Sequence, residues 1–249
     1  MPRILKTALM SLLLGVLSLQ AAENRNVQFG SIRVSTSFVS DPQTGRSSSN
    51  RVYAAGGTAA VNTRWLVIQV SFVPGASSAK DVADSFGNAK AVKALDGKWI
   101  DNPVMRVYVA SGNKSGRSVM FEGKTEFWTV RLDGRRHNAT MFIPPQLLDR
   151  YGNVVLPQRR EKVLAANQYK VLVEFTDSSG KSLGRALGNV SGKVPAGLTM
   201  FEELKKSTGV VWVKNGILPR NKSPWQWHEF STYDYVKDTG NATTGSGNQ

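Results

Sequence analysis

Hydrophobic and polar positions in this 249-residue chain follow a mostly β pattern, with several segments alternating at a period of two. Residues 31–38 read Ser, Ile, Arg, Val, Ser, Thr, Ser, Phe, the mark of a half-buried strand. Residues 65–73 are almost continuously apolar and stop at Pro74-Gly75, which predicts a central strand. Residues 104–109 alternate again and end at Ser111-Gly112-Asn113. Further strands are expected over 118–121, 125–132, 139–143 and 169–176. Asp177-Ser178-Ser179-Gly180 then predicts a tight turn into a strand over 182–186, a hairpin.

Helical spacing is rarer. Residues 80–95 place Val82, Phe86, Ala89 and Val92 at helical intervals and predict a helical insertion, interrupted by Gly87. Residues 145–151 predict one or two turns, with Leu147, Leu148 and Tyr151 on one side and Gly152 as the stop. Thr199-Met200-Phe201-Glu202 has the spacing of a capping box, in which hydroxyl and carboxylate satisfy the free amides of a helix start. That helix is expected to end at Lys205-Lys206, where cations face the negative end of the dipole.

Seven to nine short strands with turns every 8–15 residues predict a mainly β chain. The expected fold is an antiparallel β-sandwich of immunoglobulin-like topology with one or two short helices. The Cys-Trp-Cys spacing of antibody domains is absent, so the likeness is one of topology. No internal repeat is visible.

The two ends read differently from the middle. Arg3 and Lys6 precede an apolar run over 7–19 and a small-residue exit at Ala21-Ala22, the pattern of a secretory signal peptide over 1–22. The run is shorter than the roughly 20 residues a membrane-spanning helix needs, so no transmembrane anchor is expected. Residues 239–249 are small and polar, so a disordered tail is expected over 237–249. The sandwich domain is expected to fill 23–236, carrying the helical insertion near 80–95 and an aromatic C-terminal extension.

Composition sharpens the location. There is no cysteine, so an exported domain would have no disulfide staples and no lipid anchor at the cleavage point. The periplasm or outer surface of a bacterium is the expected site. Beyond the first 22 residues the chain holds 30 basic and 18 acidic residues, and residues 131–222 alone hold 16 and 7. Such a field favours anionic partners, although it also serves solubility.

Catalytic chemistry finds little footing. His137 follows two arginines and His228 stands among tryptophans, and neither has metal-ligand spacing. Glu202-Glu203 and Asp81 with Asp84 fall in the first turns of expected helices, where the dipole accounts for them. No nucleophile elbow and no phosphate-cradling loop is present. No enzyme, metal or cofactor is expected.

Binding chemistry is better supplied. Residues 210–235 are rich in aromatics and carry Lys214, Arg220 and Lys222. Trp225 and Trp227 are two apart, so on a strand they would share one face, as would Tyr233 and Tyr235. That face either stacks on a sugar ring beside the cations or closes the sandwich core. Arg135 and Arg136, like Arg159 and Arg160, fall in expected loops and form either an anion-binding rim or a solvated surface. The candidate binding residues are therefore Trp225, Trp227, Arg135, Arg136, Arg159, Arg160 and Lys222.

A signal, a cysteine-free basic β-domain and the segment Val211-Trp212-Val213-Lys214-Asn215-Gly216 together carry a resemblance. The chain is similar to exported immunoglobulin-like proteins encoded with the type IV pilus machinery of verrucomicrobial bacteria. The resemblance implies a surface or pilus-associated interaction protein, with protein partners in an envelope or pilus assembly. It departs from pilins themselves, because the apolar run precedes the cleavage point and would be lost. The alternative expectation is a carbohydrate- or polyanion-binding module for acidic glycans. Nucleic acid is not an expected partner.

Overall fold

The strand anticipated over 65–73 forms as β4 (Arg64–Ala76), and the sandwich is built around it. Leu66, Ile68, Val70 and Phe72 point to one side and are fully buried, while Trp65 and Val67 are buried on the other. Over 65–68 both faces are covered and the run is continuously apolar, while beyond it the outer positions Gln69 and Ser71 turn polar.

A computed structural model describes residues 27–40, 52–53, 60–61, 64–76, 98–112, 117–151, 166–190, 194–226 and 236–237. In chain order its strands are β1 (Val27–Ser40), β2 (Val52–Tyr53), β3 (Ala60–Val61), β4, β5 (Trp99–Asp101), β6 (Val104–Gly112), β7 (Ser118–Glu126) and β8 (Thr129–Arg131). They continue with β9 (His137–Ile143), β10 (Lys170–Thr176), β11 (Ser182–Gly188), β12 (Val211–Val213) and β13 (Leu218–Pro219). The helices are α1 (Pro145–Tyr151) and α2 (Val194–Lys206). The expectations for residues 1–22, the helix over 80–95, and Arg159, Arg160, Trp227, His228, Tyr233 and Tyr235 fall outside the described residues.

Two sheets carry the fold, in the orders β1-β4-β9-β13 and β11-β10-β6-β7-β12. The order of the seven strands of seven or more residues corresponds to that of an immunoglobulin-like sandwich: three strands in one sheet, four in the other. All the long pairings are antiparallel. The exception to the expected pattern is β12, which pairs β7 in parallel. Between the sheets, Phe29, Phe72 and Phe175 form a three-ring cluster with centroids 4.8 to 5.2 Å apart. Such ring contacts add about 0.5–1.5 kcal/mol per pair beyond burial.

Each sheet also has an outer cover. On the five-stranded sheet, Phe201 of α2 packs over Tyr108, Ala110, Met120 and Leu172. This helix starts at Val194, five residues before the expected capping box, so Thr199 and Glu202 lie inside it. Its end at Lys206 is as expected. There Lys205 Nζ stands 3.3 Å from both Glu174 carboxylate oxygens and 4.2 Å from the Tyr108 ring centroid.

Two strands expected over 118–121 and 125–132 divide elsewhere. β7 runs straight through Gly123, and the break falls at Phe127-Trp128. Gly123 is not a breaker, because any Cβ there would collide with the Ile217 carbonyl and side chain. It is the opening through which the C-terminal segment reaches β7. That segment takes the free edge of β7 piece by piece: β12, then Ile217 N–H to Glu122 O at 3.3 Å, then Lys237 N–H to Glu126 O at 2.7 Å. Lys237 was expected to open the disordered tail, and its backbone is instead part of this edge.

Candidate interaction surface

Among the described residues two large hydrophobic side chains stand exposed, Trp99 at 49% and Trp128 at 59%. Trp99 opens β5 and Trp128 stands immediately before β8, in the β5–β8 ribbon that continues the β6–β7 pair beyond its open end. Phe127 N–H donates to Pro103 O and Asn102 N–H to Trp128 O, each at 3.0 Å, so the ladder carries on through the bend. Asn102 turns the chain there with φ 52°, a left-handed conformation asparagine tolerates. Past the bend Trp99 pairs with Arg131, Ile100 with Val130 and Asp101 with Thr129. Ile100 and Val130 pack into the core, and alternation turns Trp99, Arg131 and Asp101 outward.

Each exposed indole has a cation over it. The Arg131 guanidinium lies 6.0 Å from the Trp99 centroid, and Lys237 Nζ lies 4.7 Å from that of Trp128. At exposed sites such contacts stabilise by about 0.5–1 kcal/mol and hold a flexible cation in place. The ribbon therefore offers two broad apolar rings, each tied to a positive charge. Tryptophan beside arginine is the composition that dominates protein interface energetics.

The candidates from the sequence are distributed otherwise. Trp225 is only 5% exposed. Its ring lies 4.9 Å from Phe142 with an interplanar angle of 2°, and the Trp65 ring meets it edge-on at 5.0 Å. A turn holds it there, in which Ser223 Oγ donates to Arg220 O at 2.8 Å and accepts from Trp225 N–H at 3.3 Å. Trp225 is thus a cover for the outer face of the four-stranded sheet, and no ring face is left to stack on a sugar. The stacking expectation is corrected for this residue, in favour of the core alternative. Lys222 is exposed on the same turn.

Arg135 and Arg136 are exposed on the loop between β8 and β9. Asp133 organises this loop: one carboxylate oxygen accepts the Arg135 N–H at 2.9 Å and contacts His137 Nε2 at 3.0 Å. Burial would raise the Asp133 pKa, but the Arg135 amide and His137 together outweigh it and hold the carboxyl below its ordinary value. Arg136 Nη1 donates to Ser71 Oγ at 3.0 Å, fixing its guanidinium over β4. His137 is therefore the partner of a structural carboxylate. No group of three or more His, Asp or Glu comes together among the described residues.

Sequence reasoning missed the ribbon tryptophans. For Trp99 the signal was present, since alternation with Asp101 across Ile100 places it on the polar side. For Trp128 it was not. On the continuous strand expected over 125–132, adjacent Phe127 and Trp128 would face opposite ways, and nothing local says which faces out.

The same architecture is found in a protein of Akkermansia muciniphila. Its crystal structure superposes with a TM-score of 0.53 at 14% sequence identity, over 86% of this chain and 95% of that one. At that identity the likeness is one of fold. No protein-family model matches the chain, and no curated protein does. Among the described residues no helix is long and apolar enough to cross a membrane.

Proposed function

We propose that this chain is a non-catalytic exported protein that works by binding, as an accessory component of a cell-surface or type IV pilus assembly. The Trp99 and Trp128 ribbon meets a protein partner. The observation that carries this reading is the pair of half-exposed indoles, each with its cation, on a β-sandwich whose two outer faces are partly covered by its own chain. Scattered single hydrophobics need no explanation, but two tryptophans on one short ribbon expose apolar area that a monomer gains nothing by keeping.

Three further observations support the reading. The leader over 1–22 has the pattern of a secretory signal. The absence of cysteine suits a bacterial envelope protein. The fold is shared with a protein of a verrucomicrobial bacterium, the group named by the resemblance in sequence character. Cell fractionation tests it: the protein is expected in the envelope or with sheared surface material. An even cytosolic distribution would overturn it.

A further inference from the structure

A second surface lies on a different face. It is the half of the four-stranded sheet's outer side that Trp225 leaves uncovered. The register of β1, β4 and β9 sets out its rows: Arg33, Ser71 and Asn138, then Ser35, Gln69 and Thr140. Neighbours across such rows stand about 4.5–5.5 Å apart. Every one of these side chains is polar and none is acidic; Arg33, Ser35 and Gln69 are exposed, Ser71 and Asn138 are half-buried and Thr140 is buried at the edge of the covered half.

Arg136 enters the same face from the β8–β9 loop through its bond to Ser71 Oγ. Arg33 is the cross-strand partner of Ser71, so the sheet register places a second arginine beside the residue whose hydroxyl Arg136 holds. Among the described residues no carboxylate lies within ion-pair distance of either arginine. Asp133, three residues before Arg136, is committed to the Arg135 amide and His137. Arg135 adds a third exposed cation beside the pair.

We propose that this face binds an acidic polysaccharide. Arg33 and Arg136 take a sulfate or uronate carboxylate over Ser71, while Ser35, Gln69 and Asn138 meet ring hydroxyls. Guanidinium groups match such oxyanions with paired N–H donors. Hydroxyl and amide side chains donate and accept, as sugar hydroxyls do. A single-stranded nucleic acid fits less well, because stacking needs exposed rings. The rings nearest this face, Trp65, Phe142 and Trp225, are buried.

The test measures binding of the full exported chain to heparin, polygalacturonate and neutral dextran, with salt raised from about 50 to about 150 mM. The wild type is expected to bind one or both acidic polymers, more weakly as salt rises, and to ignore dextran. Heparin against polygalacturonate shows whether sulfate or carboxylate is the preferred anion. The Arg33→Gln/Arg136→Gln double variant is expected to bind about tenfold more weakly or worse. The charge-matched Lys181→Gln/Lys206→Gln variant, exposed elsewhere, is expected to bind like the wild type. Equal weakening in both variants would assign the attraction to net charge and overturn the site. So would an absence of binding at low salt, or equal binding to single-stranded DNA. Loss confined to the arginine pair leaves the tryptophan ribbon untouched, so the two surfaces stand or fall separately.

Discussion

Trp225 lies flat against Phe142, with ring centroids 4.9 Å apart and planes 2° from parallel. Phe142 is on β9 and Trp225 follows the last short strand, so the contact ties the end of the chain to the middle of a sheet. Residues 211–226 of the aromatic segment are therefore part of the fold.

Trp225→Ala is expected to cost about 3–5 kcal/mol, the range for emptying a buried aromatic site. Trp225→Phe keeps a ring on Phe142 and should cost clearly less. Urea denaturation measures both. An alanine variant as stable as the wild type would show that the segment is not docked in solution.

The ribbon should behave in the opposite way. Trp99→Ala and Trp128→Ala each lose one exposed cation contact, so each is expected to cost no more than about 1 kcal/mol. The same denaturation series checks this. A loss near that of Trp225→Ala would make these residues structural.

How much of this was legible in the sequence depends on what sets each position. The strands at β4, β6 and β10, the turn at Asp177 and the helix over 145–151 follow from local pattern, and they lie where the pattern puts them. In the turn Asp177 Oδ1 accepts N–H groups from Ser179 and Lys181, each at 2.9 Å, which a four-residue motif can encode. Local pattern does not settle the surroundings of Gly123 and Trp225, because their partners, Ile217 and Phe142, are about 80–95 positions away along the chain. The parallel pairing of β12 has no local signature either.

Asn189 shows what such distant bonding supplies. Its side-chain Nδ2 reaches Thr36 Oγ1 at 2.6 Å, Tyr169 O at 2.9 Å and Ala166 O at 3.3 Å, joining β1 to the start of β10. Its φ is 56°. Asn189→Gly should lose the bonds, about 1–3 kcal/mol, while Asn189→Ala should lose about 1 kcal/mol more through backbone strain. Thermal unfolding ranks the three. Alanine equal to or above glycine would contradict the geometry.

Asp133 makes stability depend on pH in a definite sense. Its folded pKa is depressed below the ordinary 3.8, so its stabilising contribution is present above that value. The contribution is lost as pH falls below 3.8 and through the folded pKa. Wild type should therefore be more stable than Asp133→Asn at neutral pH, with the gap closing below that value. A gap constant from pH 7 to pH 2 would show that the carboxylate charge is not what orders the loop.

The most direct test is retention of the exported protein by sheared surface and envelope material, comparing wild type with the Trp99→Ala/Trp128→Ala double variant. The wild type is expected to co-sediment, and the double variant to be released in soluble form with its unfolding midpoint nearly unchanged. Equal retention of a folded double variant would contradict the assignment of the ribbon as the partner-binding surface.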